Sequence, residues 1–425
     1  MRSRSLLALA TVVSIMAACT GAASPTPSTA PASPSPAAGS PSPSGSPSPN
    51  PSPTPSLPTA IGAGEGELDI VIWPGYAEDG SNAKEYDWVH PFERETACKV
   101  KSKVADTSDD MFTLMTQNHG LYDGVSASGD ASNRLIDSGE IAPINPALVP
   151  NWNDITPFLQ DISANTVNGV HYGVSHGWGG NLLMYRTDKI TTAPTSWDAV
   201  FDPAKMDAYK GKVTAYNGTI YMADAALYLK TKRPELAITD PYELTQTQFD
   251  AAVALLKAQR PYVGKYWASY TEEIDNFTNG TSTIGTTWQY QTNSLLIASP
   301  PVPVKNVIPT EGMTGWSDTW MLSKYAKHPN CMMKWQAYMV RPEVQTQVAE
   351  YFGEAPANPK ACDALNKGHG PYKVANFCDV FHATDQGFYN SLAFWKTPSS
   401  NCGDTRGNTC IGYDQWLKAY TDVKG

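Results

Sequence analysis

The sequence predicts an α/β fold in two lobes, and three observations carry that expectation. From Leu68 to Gly139, short apolar runs alternate with stretches of helical patterning. A second series of the same kind starts at Lys212. Between and after them lie two segments, His171–Arg186 and Gly315–Leu322, that read as crossings from one lobe to the other.

The chain opens with an export address. Arg2 and Arg4 precede an apolar run from Leu6 to Met16 that is too short to span a bilayer, and Ala17-Ala18-Cys19 follows as a small-residue cleavage site. Residues 1–19 therefore read as a lipoprotein signal peptide resembling a bacterial lipobox, with Cys19 as the lipid anchor. Plain secretion is the alternative, because Met16 stands where leucine is commoner. Residues 20–66 are dominated by Pro, Ser, Thr, Ala and Gly. Such a segment has no apolar period with which to offset its ordering entropy. It is expected to form a disordered stalk with a reach on the order of 100 Å if extended.

Removing Cys19 from the seven cysteines leaves Cys98, Cys331, Cys362, Cys378, Cys402 and Cys410. An even set in an exported chain reads as three disulfides. Proximity favours Cys402–Cys410 and Cys362–Cys378, with Cys98–Cys331 as a long-range bridge, but sequence does not fix connectivity.

In the folded part, Leu68–Trp73 is an apolar run that stops at Pro74-Gly75, as a buried strand should. A helix carrying Trp88, Val89 and Phe92 follows, then the alternating strand Lys99–Ala105. Thr107-Ser-Asp-Asp110 has the look of a capping box before Met111, Leu114 and Met115. A strand near Tyr122–Ala127 leads through Ser128-Gly129-Asp130 into a helix Ala131–Asp137, closed by Gly139. In parallel sheets ligands sit beyond the carboxyl ends of strands, which puts Trp73, Tyr76, Ser128 and Asp130 on one rim. The second series holds the strand Lys212–Tyr216, the helices Tyr221–Leu229 and Phe249–Gln259, and strands at Thr283–Trp288 and Val302–Pro309. Helices Met332–Val340 and Pro342–Phe352 and a Cys-rich tail ending near Trp416 and Tyr420 complete the chain. The expected lobes are 67–177 with 317–425, and 178–316.

Function is read from Gly315–Leu322, where Asp318 lies between Trp316 and Trp320. A carboxylate among indole faces is poor core material but suits an organic cation, held by charge and by cation–π attraction. The bland alternative makes the tryptophans core residues and the acid a cap. The net charge of -10 argues against nucleic acid and mildly favours a cationic partner.

Several short segments, taken in order, resemble the spermidine/putrescine-binding proteins of ABC importers. They are Trp73-Pro-Gly-Tyr76, Tyr122-Asp-Gly-Val-Ser-Ala-Ser128, Ile141-Ala-Pro-Ile144, Tyr172-Gly-Val, Trp178-Gly, Thr195-Ser-Trp197, Trp288 and Trp316-Ser-Asp318, with Pro342-Glu-Val to Glu350 continuing the series. The resemblance covers roughly Glu67 to Asn358. It implies the type II periplasmic-binding fold, a ligand enclosed between hinged lobes, a permease with its ATPase as partners, a monomer, and neither cofactor nor metal. Carried over by position, Trp73, Tyr76, Ser128, Trp288, Trp316 and Asp318 are ligand contacts. Asp130 and Glu354 stand where the family usually has tyrosine, and Gly218 and Tyr221 where the spermidine binder has acids. Either the negative charge has moved to the first lobe around a polyamine, or one ammonium is gripped and the ligand is a zwitterion such as γ-aminobutyrate. Asp130 and Ser128 have a capping alternative, and Glu354 that of a surface acid. The histidines show no metal spacing. Tyr221 and Trp288 are expected to reach the ligand from the second lobe. A glycosidase-type hydrolase would need paired acids, which nothing here pairs, and an envelope adhesin would need no cleft. Neither a Gly-x-Ser-x-Gly elbow, nor a phosphate-cradling Gly-x4-Gly-Lys loop, nor a His-Glu-x-x-His zinc motif is expected.

Overall fold

The computed structural model describes residues 57–368 and 374–425; the signal peptide, Cys19 and the stalk up to residue 56 lie outside them. Two mixed sheets organise the fold. In the first, Glu67–Ile72 pairs in parallel with Lys99–Val104 and with Gly124–Ala127. The ten-residue strand Met313–Leu322 runs antiparallel between Gly124–Ala127 and Gly173–Gly180, and Ala355–Pro356 closes that edge. In the second, Val213–Tyr216 pairs in parallel with Val263–Trp267 and Ile284–Thr287. Leu182–Arg186 and Val304–Val307 complete it antiparallel. Helices cover the sheet faces, as βαβ connections require. This is the expected two-lobe α/β periplasmic-binding fold, although its sheets are mixed rather than mainly parallel.

The first crossing falls inside the expected segment His171–Arg186, and the second just ahead of Gly315–Leu322. Gly173–Gly180 stays in the first sheet throughout, and the chain passes to the second at Asn181. It returns between Val307 and Met313. The expected boundaries at 177/178 and 316/317 therefore fall inside first-sheet strands. The glycines of this segment do not bend the backbone as expected; they admit neighbours. A Cβ on Gly177 would meet the Glu354 carboxyl, and one on Gly179 the Trp316 ring at 2.7 Å.

Two segments depart further from expectation. The end of the stalk region is tied to the fold: the Glu65 carboxylate accepts the N–H groups of Asn330 and Cys331 at 3.0 and 2.9 Å, at the start of the helix Pro329–Met339. The tail, assigned above to the first lobe, contacts both. Leu392–Phe394 pairs with Met313–Gly315 in the first sheet. The final helix Tyr413–Lys424 instead packs on Gln246–Gln259 and Thr219–Tyr221. Trp416 is fully buried there, 6.0 Å from Phe249.

All three favoured disulfides are formed, Cys98–Cys331, Cys362–Cys378 and Cys402–Cys410. Both sulfurs of the first sit in fully buried residues, and that bridge joins positions 233 residues apart. Loop-closure entropy grows with the logarithm of loop length, giving about 5 kcal/mol for such a loop against about 2–3 kcal/mol for one of nine residues. Replacing Cys98 and Cys331 by alanine is therefore expected to lower the thermal midpoint more than replacing Cys402 and Cys410. Calorimetric unfolding of the two variants measures the order.

Candidate functional site

Six strands end at one cavity. Trp73, Pro74 and Tyr76 follow Glu67–Ile72, Asp106 follows Lys99–Val104, and Ser128 follows Gly124–Ala127. From the second sheet come Tyr216, the turn Ala268-Ser269-Tyr270, and Trp288. Trp316 and Asp318 enter from the antiparallel strand, Phe352 from a helix end and Trp395 from the tail. The cavity has a volume of about 60 Å³. At roughly 10–15 Å³ per water, that is room for a few waters or a slender ligand.

Trp316, Asp318 and Trp320 alternate onto one strand face. Pairing along this strand slips between Asp318 and Thr319, leaving His176 as an extra residue on the partner strand. Such bulges re-aim side chains. Here the imidazole is brought 4.0 Å from the Tyr76 ring, stacked at 26°. Trp320 donates from Nε1 to His176 Nδ1 at 3.0 Å, so the ring proton sits on Nε2, 3.4 Å from Glu354 Oε1.

Asp318 is 4% exposed. The Tyr76 hydroxyl donates to its Oδ2 and the Ser128 hydroxyl to its Oδ1. Burial pushes its carboxyl up to about 6, against the lowering effect of those two hydrogen bonds. Burial also lifts Glu354 well above the carboxylate range, with the nearby Asp318 charge adding to the shift, and depresses His176 to about 3. At neutral pH Glu354 and His176 are uncharged and the negative charge rests on Asp318. No lysine or arginine occurs among the described residues that line the cavity.

Rings form the walls. Trp288 and Trp316 meet at 6.2 Å and 65°, Trp267 stands edge-on to Trp288 at 5.0 Å, and Tyr216 stacks on Trp395 at 5.6 Å and 28°. Trp288 Nε1 donates to Asn181 Oδ1 at 2.8 Å, which ties this second-sheet ring to the crossing residue.

Of the expected site residues, Trp73, Tyr76, Ser128, Trp288, Trp316 and Asp318 line the cavity. Ser128 does not cap the helix Gly129–Asp137 with its side chain; its hydroxyl goes to Asp318. Three others lie elsewhere. Asp130 turns away to accept a hydrogen bond from Ser108 Oγ at 2.8 Å. Tyr221 is core, packed near Phe201, its hydroxyl accepting from Gln259 Nε2 at 2.8 Å. Glu354 is buried rather than a surface acid and lines a separate space of about 20 Å³ that shares Trp316 with the first. Asp106, Tyr216, Tyr270 and Trp395 were not foreseen. The first three follow from the carboxyl-end rule applied to every strand; nothing in the sequence marks Trp395.

One motif needs correction and one histidine needs placing. Gly173-Val-Ser-His-Gly177 spells Gly-x-Ser-x-Gly, contrary to the expectation above. Ser175 lies inside a strand, fully buried, and donates to Leu159 O at 3.1 Å, so it is no nucleophile elbow. His328 does meet two acids, Asp69 and Asp123, that its spacing did not reveal. The Asp123 carboxylate is taken up by the N–H groups of Asp69, Lys327 and His328 and by the His328 ring.

The profile of the bacterial extracellular solute-binding proteins matches residues 87–369. The chain is 28% identical over 309 residues to a putrescine/agmatine-binding protein of Pseudomonas aeruginosa, covering 66% of this chain and 79% of that one. It is 24% identical over 287 residues to the putrescine-binding periplasmic protein PotF of Escherichia coli, covering 65% and 75%. A solved structure described as a putative spermidine/putrescine ABC transporter from Listeria monocytogenes superposes with a TM-score of 0.68 at 20% identity, covering 84% of this chain and 99% of that one.

A carboxyl held near 6 when folded, against 3.8 in its ordinary state, favours the fold below pH 3.8 and withdraws that support as pH rises through 6. Above that window ionised Asp318 costs the ligand-free protein about 3 kcal/mol at most. Asp318→Asn is therefore expected to raise the melting temperature of the ligand-free protein at pH 7.5 while leaving it little changed at pH 4. Thermal scans at the two pH values check this.

Proposed function

The chain belongs to the bacterial extracellular solute-binding proteins, and from that membership we propose that it captures a polyamine, with putrescine as the leading candidate, in the cavity around Asp318. As a member of that family it is a solute-binding receptor of an ABC importer and not an enzyme. The observation that carries the polyamine reading is the buried Asp318 carboxylate, held by two hydroxyls among aromatic rings, with no lysine or arginine among the described residues that line its cavity. An ammonium supplies the missing charge, and the ring faces suit both the cation and the methylene chain.

A zwitterion such as γ-aminobutyrate fits less well. Its carboxylate would need donors, and the backbone N–H groups of Ala268 and Ser269, which reach the cavity wall, are already bound to Glu272 at 2.8 and 3.1 Å. The donors left for it are the indole N–H groups of Trp73, Trp316 and Trp395, which have no acceptor among the described residues but supply no charge to offset a buried carboxylate near Asp318.

In this reading Trp73, Tyr76, Ser128, Trp316 and Asp318 offer the first-lobe surface, and Trp288 and Tyr216 close over the ligand from the second. The lobes divide at Asn181 and between residues 308 and 312, with the tail bridging them. Ligand binding shifts the hinge population toward closure, and the closed form is recognised by a membrane permease driven by its ATPase. Lipidation at Cys19 keeps the receptor, as a monomer, on the outer face of the membrane.

Titration calorimetry with putrescine, spermidine and γ-aminobutyrate tests the reading. Saturable binding of the amines, with γ-aminobutyrate weaker, is expected; preference for γ-aminobutyrate would reject it. Asp318→Asn should weaken amine binding tenfold or more, about 1.4 kcal/mol. A bound ammonium lowers the Asp318 carboxyl below its free value near 6, so protons compete with ligand below that pH. Affinity should be flat above pH 7 and fall about tenfold per unit below 6.

A further inference from the structure

Trp395 lies beyond residues 87–369 that match the family, yet it lines the cavity. It follows Leu392–Phe394 and continues that pairing, its N–H donating to Gly315 O at 2.7 Å. Its carbonyl lies against Gly129, where an added Cβ would collide with it. The next residues are held from both lobes. Lys396 pairs with Asp240 at 2.8 Å and with Glu243, while Thr397 Oγ1 donates to Asp130 O at 2.7 Å. Beyond them, the loop closed by Cys402–Cys410 is fixed by Arg406, whose Nη1 donates to Glu243 O at 2.9 Å. Tyr413 then returns to the first lobe, its hydroxyl donating to Asp109 at 3.0 Å.

We propose that Trp395 is the end wall of the ligand cavity and sets the length of ligand accepted, with the disulfide-closed tail as the scaffold that holds it in place. The substrate class rests on the polyamine reading above. The indole is 4% exposed and stacked on Tyr216. Its main chain is bonded on one side to the strand that carries Asp318 and pressed on the other against the glycine that follows Ser128. A residue fixed on both sides cannot swing aside for a longer chain. The indole N–H has no acceptor among the described residues, leaving it for ligand-associated water. The cavity has a volume of about 60 Å³, and the neighbouring space of about 220 Å³ that shares Pro74, Tyr270, Trp288, Trp316 and Phe352 with it is not lined by Trp395. A pocket wall discriminates by about tenfold or more per misplaced methylene.

The experiment measures affinities of wild type, Trp395→Ala, Trp395→Phe and the double variant Cys402→Ser/Cys410→Ser. Two probe series are used: α,ω-diamines of rising length with spermidine, and ω-amino acids of rising length. Trp395→Ala is expected to raise the ratio of long-chain to short-chain affinity about tenfold. Trp395→Phe and the disulfide variant should shift the ratio the same way by smaller factors, and either one tests the idea if the alanine variant does not fold. An unchanged ratio, or a uniform loss at every length, overturns the proposal and leaves Trp395 as packing alone. The wild type separates the two readings. If it binds only ω-amino acids, the polyamine reading fails while the length shift in that series still decides Trp395. If it binds diamines and no variant shifts the ratio, the end wall alone is rejected.

Discussion

The site depends on the burial of one ionised carboxylate without a cation. Moving a carboxylate out of water is costly unless it is paired and hydrogen-bonded. Asp318 has the hydrogen bonds, from Tyr76 and Ser128, but no lysine or arginine among the described residues that line its cavity. Burial first, and the charge of Asp318 second, push the carboxyl of its neighbour Glu354 well above the usual carboxylate range. His176 could have supplied charge, but burial keeps it neutral. The ligand-free protein thus carries an electrostatic conflict at this position, one that weakens the fold at neutral pH.

The backbone converts that carboxylate into a receptor site. Strands of both sheets direct their carboxyl ends at one cavity, so each loop contributes a ring or a hydroxyl without needing length of its own. A buried polar chain ties the sheets at the crossing. Trp288 donates to Asn181, Asn181 Nδ2 to Thr314 Oγ1 at 2.7 Å, and Thr314 Oγ1 to Asp224 at 2.8 Å. Burial lifts Asp224 to about 7. Each of these groups would be expensive to leave unpaired, so the chain orients a cavity ring from the second sheet through the strand that carries Asp318.

The fold and the centre of the site were legible in the sequence, and physical reasons separate what was read from what was missed. Strand and helix periodicity is local, so elements such as Pro342–Phe352 and the Thr107 cap appear where expected. Asp318 could be found because an acid between tryptophans conflicts with the core it sits in. Asp130 and Tyr221 misled because position along a rim does not say which way a side chain turns; a hydroxyl from Ser108 and an amide from Gln259 decided that. Trp395 was invisible because its place depends on a tail pairing with a strand about 80 residues earlier. Non-local pairing of that kind leaves no periodic trace.

The strand Gly173–Gly180 shows how far the buried acids constrain their surroundings. Its glycines looked like a hinge, yet each faces a bulky neighbour: Gly177 the Glu354 carboxyl, Gly179 the Trp316 ring, Gly180 the Phe388 ring. Any larger residue at 177 must displace either Glu354 or the strand, and the strand is paired at that position with Asp318. Backbone that would elsewhere be free to carry side chains is held bare so that an acid can lie against it. Flexibility is thus an insufficient account of these glycines. Close packing explains all three positions: Gly177 against the Glu354 carboxyl, Gly179 against the Trp316 indole, and Gly180 against Met313, Phe388 and Leu392.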